Sequence, residues 1–297
     1  MIKFNRKTGC CNVPYSVNIS VTERCPLKCP FCFHEYDSYD ELSFSQVCGY
    51  IYELARMGTA QIQFSGGEPL VYPHILESIS YAHSKGIRVV ISTSGVTITE
   101  ESARKLKETG LDCCYISLNG STAEIHEITR DGYKFAVNAL GIFKKIGLAS
   151  AINWVAGHDN VKDLENVVSI AKSLSVKHIS VMPMKQCESD KTFNGLTLED
   201  LVYIEECCSR FKGYLVIDSC FEELNKAYVD RTYITTGCRA GKFYMAINAQ
   251  GEFLSCPHLY AEGVKADSIK TYWDSDGFLI EHREGKKCRC LSSEEEK

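Results

Sequence analysis

The sequence predicts an α/β protein built as a partial (βα)6 barrel, and three observations carry that expectation. Strand-like and helix-like segments alternate regularly from residue 15 to about residue 211. Most of the strand-like segments are Val- and Ile-rich runs with little polar alternation, the pattern of parallel strands buried on both faces. Several helical stretches stop at glycine, at Gly58, Gly86, Gly110 and Gly147, where a left-handed C-cap suits a residue without a side chain.

The first unit joins a strand at 15–21 to a helix near 43–57, and the connection between them holds three closely spaced cysteines. A strand at 60–64 and a helix near 73–85 follow, linked through Ser65-Gly66-Gly67-Glu68-Pro69. The remaining units pair 87–92 with 99–109, 113–118 with 134–146, 149–155 with 161–174, and 178–182 with 197–211. Right-handed crossovers curl such a sheet into a barrel. Six units fall short of the eight that close a TIM barrel, so a TIM-like barrel with an open side, able to admit a bulky substrate, is expected.

After residue 213 the rhythm changes. Two short strands, 243–247 and 253–255, flank the turn Asn248-Ala249-Gln250-Gly251, and a helix-like stretch follows near 266–282. The expected division is a catalytic core over 1–213 and a small hairpin-and-helix domain over 214–297.

The chain of 297 residues is 44% hydrophobic and 24% charged, the composition of a globular protein with a full-sized core. A formal charge of -5 and the lack of any Lys/Arg-rich run argue against nucleic acid as a partner. No apolar window is long enough for a signal peptide or a membrane span, so a cytoplasmic location without membrane contact is expected. Sixteen cysteines in such a chain point to metal or redox chemistry rather than disulfides.

Cys25, Cys29 and Cys32 stand at C-x3-C-x2-C spacing in the loop after the first strand. Three thiolates from one loop can cap one face of an iron-sulfur cubane. Such clusters normally take four cysteines, so one iron would remain open to an outside ligand. Phe31 and Phe33 flank the last cysteine and would shield a cluster from water. The same residues admit a structural zinc site with His34 as fourth ligand, although zinc knuckles favour C-x2-C pairs. In Ser65-Gly66-Gly67-Glu68-Pro69 the glycines permit close approach of backbone to a ligand, and the carboxylate complements an ammonium. A plain turn has the same sequence character.

The triad, with an aromatic before its third cysteine, resembles the signature of the radical S-adenosylmethionine (radical SAM) superfamily. Gly66-Gly67-Glu68-Pro69 resembles that superfamily's Gly-Gly-Glu-Pro motif, which binds the cofactor's methionine amino group. The resemblance implies a [4Fe-4S] cluster on Cys25, Cys29 and Cys32 with S-adenosylmethionine at the open iron. It further implies that Ser92 and Ser94, closing the third strand, and Ser117 and Asn119, closing the fourth, contact the ribose and the methionine carboxylate. Arg130 resembles a recurring family arginine near the cofactor. On their own, the small polar residues also read as turn formers and Arg130 as a solvated charge at a helix start.

Cys238 opens the C-terminal region, Gly251-x4-Cys256 closes its hairpin, and Cys288 and Cys290 follow. This order resembles the SPASM and twitch extensions of the superfamily, and extends the resemblance over roughly residues 15–290. It implies one auxiliary [4Fe-4S] cluster, twitch-like, on Cys238, Cys256, Cys288 and Cys290. The final C-x-C departs from the family's C-x2-C, which leaves His258 or substrate as an alternative ligand, and a zinc ribbon is the alternative for the whole group. Cys187 and Cys220 are candidates for the thiol hydrogen donor that radical epimerases use.

The resemblance implies an oxidoreductase or maturase. A ferredoxin- or flavodoxin-type reductant feeds the first cluster, S-adenosylmethionine is cleaved to a 5′-deoxyadenosyl radical, and a substrate hydrogen is abstracted. The expected substrate is a ribosomally synthesised peptide, with a crosslink, thioether or epimerisation as the outcome. About fourteen residues precede the first strand, too few for a leader-binding module, so a separate leader-peptide recognition protein or a short substrate is expected. The alternatives are a twitch-type dehydrogenase or epimerase of a small molecule and, in another class, an iron-sulfur electron-transfer or scaffold protein.

Overall fold

The computed structural model describes residues 2–5, 10–32, 34, 38–185, 195–221, 238–259 and 263–275; Cys187, Cys288 and Cys290 lie outside them. Strands β1 (Phe4–Asn5) and β2 (Cys10–Cys11) form a short antiparallel pair ahead of the main sheet. The six expected units then follow. They are β3 (Ser16–Ser20) with α1 (Phe44–Met57), β4 (Gln61–Ser65) with α2 (Ile75–Ser84), and β5 (Arg88–Thr93) with α3 (Glu100–Glu108). Next come β6 (Cys113–Ser117) with a short α4 (Ala123–His126) and α5 (Tyr133–Ile146), β7 (Ser150–Ala156) with α6 (Leu164–Ser173), and β8 (Ile179–Pro183) with α7 (Leu198–Arg210).

Local chemistry sets the helix ends. Ser43 and Gln46 form a reciprocal capping box at the start of α1, and Gly58 ends that helix in the left-handed conformation at φ 83°. Thr99 with Ser102 and Thr197 with Asp200 start α3 and α7 in the same way. Along α1, Val47, Ile51 and Leu54 form the buried stripe at helical spacing.

Among the described residues three further strands and one helix follow: β9 (Leu215–Ile217), β10 (Tyr244–Ile247), β11 (Phe253–Leu254) and α8 (Ile269–Asp274). The main sheet runs β11-β10-β3-β4-β5-β6-β7-β8-β9, every neighbouring pair parallel except β10 with β11, and it does not close. Two features go beyond the six-unit expectation. β9 is three residues long, below the length at which a strand announces itself in sequence. β10 lies parallel to β3, from Tyr244 opposite Ser16 to Ile247 opposite Ile19. The C-terminal hairpin is therefore hydrogen-bonded into the main sheet, beside a strand more than two hundred residues earlier.

The strands also alternate more than their Val/Ile content suggested. Val17, Ile19, Ile62, Phe64, Ile91 and Trp154 point toward the helices and form the core. The opposite, concave face carries Asn18, Gln63, Ser65, Ser92 and Asn153, which bond one another. Ser65 Oγ donates to Asn18 Oδ1 at 2.7 Å, and Ser92 Oγ accepts from Gln63 Nε2 at 2.7 Å and Asn153 Nδ2 at 3.1 Å. A closed barrel would fill this face with apolar layers; an open one leaves it wettable. Among the described residues no helix is long and apolar enough to cross a membrane.

Candidate active site

The cysteine loop leaves the C-terminal end of β3 and is seated on the end of β4. Val21 N donates to Ser65 O at 3.0 Å, Gly67 N to Thr22 O at 2.7 Å and Glu68 N to Arg24 O at 2.9 Å. A Cβ added to Gly67 would stand 2.3 Å from Glu23 O and 2.6 Å from Arg24 O. At Gly66, where φ is +137°, it would stand 2.3 Å from Thr22 O. The glycines thus permit close approach of backbone to backbone: they bring the strand end against the base of the cysteine loop. Within the loop Cys32 N donates to Cys29 O at 3.0 Å, turning the last two cysteines back on each other.

Glu68 is fully buried, and Pro69 starts the single 3₁₀ turn after it, Pro69–Val71. Its Oε1 accepts from Thr93 Oγ1 at 2.6 Å and Leu70 N at 3.2 Å; its Oε2 accepts from Ser94 N at 2.9 Å and Ser94 Oγ at 2.6 Å. A carboxylate offers about four lone-pair positions, so these donors fill it. The ammonium contact implied for Glu68 falls on a group already engaged, and the carboxylate ties the end of β5 to the loop after β4.

Arg130 is where the sequence-predicted residues converge. Its guanidinium lies over the Phe31 ring, 4.8 Å from the centroid, and its Nε is buried with no hydrogen-bond partner. Burial lowers its pKa, while the charges of Cys29, Cys32, Cys25 and Glu68 oppose that shift. The backbone N–H of Asp131 donates to Cys29 Sγ at 3.5 Å. Cys25 is exposed, yet the protein packed around it, followed by the charges of Glu68, Cys29 and Cys32, pushes its thiol up to about 12 against the pull of the Leu27 N–H. Thiols in this setting become thiolates when a cation binds among them, since a coordinated thiol is deprotonated outright.

Among the described residues no three His, Cys, Asp or Glu side chains crowd one point closely enough for a single ion. Zinc needs all its sulfurs about 2.3 Å from one centre, whereas in a cubane each thiolate binds a different iron and the sulfurs stand apart. His34, the alternative zinc ligand, bonds through Nδ1 to the buried Glu23 Oε2 at 2.6 Å. The residues fit a cubane with an anionic group, such as a carboxylate, against the unpartnered Nε of Arg130.

The remaining predicted contacts divide. Ser94 is shared with Glu68, Ser92 faces the concave side, and Ser117, at the end of β6, stands opposite Asn153. Asn119 is fully buried and buckles loops together: Nδ2 donates to Thr129 Oγ1 at 2.9 Å, Oδ1 accepts from Val155 N at 3.0 Å, and its N–H donates to His126 Nδ1 at 3.1 Å.

A second thiol group lies at the C-terminal hairpin. Buried Cys256 and half-buried Cys238 pack with Ala240, Tyr244, Ala246, Leu254 and Leu259. Burial raises the Tyr244 phenol well above its usual range, and the charges of Cys256, Cys220, Cys238 and Asp218 add to the rise. His258 is held well below its usual range by its protein surroundings and by the charges of Lys185 and His34, yet it keeps accessible surface. His34 belongs to the first cysteine loop, so that loop and His258 lie near enough to act on each other by charge. Sequence reasoning passed over Lys185 and Tyr244; Lys185 lies two residues past β8, at the strand end where barrels place function.

Comparison with known proteins agrees with this geometry. The family description "Radical SAM superfamily" matches residues 19–171. PqqA peptide cyclase of Rhizobium meliloti (strain 1021) is 25% identical over 290 residues, covering 89% of this chain and 75% of that protein. Among solved structures, Streptococcus suis SuiB bound to S-adenosylmethionine superposes with a TM-score of 0.79 at 17% identity, covering 97% of this chain and 72% of SuiB. SuiB bound to precursor peptide SuiA gives 0.78 at 17% identity, with 97% and 71% covered. The family match spans just over half of the sequence and takes in the cysteine loop, its Gly66–Glu68 seat and Arg130, and by that match the chain belongs to the radical SAM superfamily.

Proposed function

We propose that this chain modifies a peptide by radical chemistry, with Cys25, Cys29 and Cys32 holding the [4Fe-4S] cluster and an auxiliary cluster at the C-terminal thiols taking up substrate electrons. The observation that carries the reading is the setting of Arg130 beside the cysteine loop: it lies over Phe31 with its Nε unpartnered, the next residue's N–H reaches Cys29 Sγ, and the charges of the three thiols and Glu68 act on it. When bound, the cluster and S-adenosylmethionine supply a reductive cleavage that yields a 5′-deoxyadenosyl radical.

The protein's own residues do the rest. Arg130, fixed over Phe31, offers its unpartnered Nε to the methionine carboxylate of the cofactor. Glu68 holds Thr93 and Ser94 against the cysteine loop, so that the Ser94 hydroxyl stays at the edge of the site. Gln63, Ser92 and Asn153 on the concave face can exchange their mutual hydrogen bonds for those of peptide groups. Phe31 keeps water from the cysteine loop. The peptide reading is supported by the names of the relatives, a peptide cyclase and a protein solved with its precursor peptide. Two clusters suit an oxidative outcome such as a crosslink or thioether, with a ferredoxin- or flavodoxin-type protein as reductant.

The test is anaerobic purification and reconstitution of the wild type and of a Cys25/Cys29/Cys32→Ala variant, with iron and sulfide counted and 5′-deoxyadenosine measured against a peptide panel. About eight irons in the wild type, about four in the variant, and cofactor cleavage only in the wild type are expected. A variant that still cleaves the cofactor sinks the reading. Product from a polar small molecule and none from any peptide moves the substrate to the small-molecule class.

A further inference from the structure

We propose that Glu23 and His34 form a clasp that closes the cysteine loop on both sides of Cys25, Cys29 and Cys32, and that both are positioning residues for the first cluster. This rests on the assignment of that cluster to the three cysteines and deepens it by naming what presets their arrangement.

Glu23 lies two residues before Cys25 and His34 two residues after Cys32, so a bond between them closes a ring, residues 23–34, that contains all three thiols. That bond is short: His34 Nδ1 stands 2.6 Å from Glu23 Oε2. The two side chains are 11% and 1% exposed. A buried bond of this kind is costly to break, because the partner left behind stays out of water and unsatisfied.

A second, wider closure surrounds the first. Leu42 N donates to Val21 O at 3.0 Å, Glu23 N donates to Asp40 O at 2.8 Å, and Thr22 forms an antiparallel bridge with Glu41. Arg24 pairs with Glu41 across the same gap, but those side chains are 38% and 27% exposed, and ion pairs open to solvent contribute little. The wide closure fixes where the loop begins and ends. The Glu23–His34 bond shortens the span that carries the ligands, and a shorter closed span leaves them fewer arrangements to lose when metal binds.

Glu23 is also where the loop meets its seat. Its carbonyl oxygen is the atom that a Cβ at Gly67 would approach to 2.3 Å, its N–H goes to Asp40, and its carboxylate goes to His34. One residue thus relates the end of β4 to both ends of the cysteine loop. With Nδ1 turned to Glu23, His34 serves the thiols through the backbone it anchors; the competing role, direct ligation of metal by His34, makes a different prediction about iron.

The experiment uses the full chain in a Cys238/Cys256→Ala background, so that the first centre is read alone. Glu23→Ala, His34→Ala, their double variant, Glu23→Gln and Glu23→Asp are reconstituted. Iron per chain, the rate of iron release to excess EDTA, and the low-temperature EPR spectrum of the reduced protein with S-adenosylmethionine are read. About four irons are expected in the background. Release should be about tenfold faster in each alanine variant and no faster in the double variant, since both remove one bond. Glu23→Gln keeps the length and the hydrogen-bonding capacity and should restore slow release and the background spectrum. Glu23→Asp keeps the charge but falls one methylene short, and should release iron as fast as Glu23→Ala. Effects that multiply in the double variant, or an aspartate that rescues where glutamine fails, overturn the clasp. Iron missing from freshly loaded His34→Ala but not from Glu23→Ala would make His34 a ligand and overturn it as well. No iron in the background overturns the first cluster, and this proposal with it.

Discussion

Glu68 and Ser94 are joined twice: the backbone N–H of Ser94 and its hydroxyl both donate to Glu68 Oε2, at 2.9 Å and 2.6 Å. A glutamine in place of Glu68 keeps one acceptor oxygen and turns an NH2 toward donors it cannot satisfy. Glu68→Gln is expected to lower the stability of the metal-free protein by about 2–3 kcal/mol, read from urea unfolding. A loss below about 0.5 kcal/mol would mean that the carboxylate is not the tie between the loop after β4 and the end of β5.

Gly67 tests the seat of the cysteine loop. The Cβ of an alanine would meet the backbone oxygens of Glu23 and Arg24, which cannot swing aside as a side chain does. Gly67→Ala should cost about 1–3 kcal/mol and reduce iron uptake at the first site, because the loop must shift to admit a methyl group. Iron per chain and the thermal midpoint measure both effects. Full iron with an unchanged midpoint would show that the two segments are not so tightly opposed.

Arg130 tests the cofactor contact. Arg130→Met leaves the cysteines in place but removes the guanidinium, so iron content should hold while S-adenosylmethionine binds about tenfold more weakly, roughly 1.4 kcal/mol. Arg130→Lys should not restore affinity, since an ammonium neither stacks as a plane on Phe31 nor presents an Nε. Equilibrium binding to the cluster-loaded protein is the measurement, and full affinity in the lysine variant would assign the effect to charge alone.

His126 sets a pH dependence. It is 1% exposed, and burial, followed by the charge of Arg130, lowers its pKa to about 4. In the unfolded chain the same imidazole takes up a proton near pH 6.5. The native state requires it neutral, so stability is intact above pH 6.5 and declines as pH falls toward 4, by about 2 kcal/mol at pH 5. His126→Gln should flatten the difference in denaturant midpoint between pH 7 and pH 5. A difference as large as in the wild type would place the titration elsewhere.

The six strand–helix units and the first cysteine loop were legible because their signals are local. A C-cap glycine such as Gly58 stands at the very end of the helix it closes, and Cys25, Cys29 and Cys32 belong to one loop. The pairing of Tyr244 with Ser16 was not legible, since a hairpin's own turn says nothing about the strand it will lie beside. The concave polar face was hidden for a related reason. Gln63 and Asn153 lie ninety residues apart in sequence, and only the sheet shows that both meet Ser92. The glycines of the Gly66–Glu68 segment were read as letting the backbone approach a ligand closely; that an added Cβ would also meet the chain's own backbone at Thr22 and Glu23 has no signal in the sequence.

The placement of β10 beside β3 bears on how the protein is made. β3 receives β4 on one side soon after synthesis, but the strand for its other side is translated about 180 residues later. At roughly 5–20 residues per second, the nascent chain carries β3 as a bare edge for about ten to forty seconds. An unpaired strand in a growing polypeptide is a template for the wrong neighbour. Slower growth at low temperature or added chaperone should therefore raise soluble yield more for this chain than for a barrel whose strands pair strictly in order, and a release of the ribosome before residue 244 should leave material that aggregates.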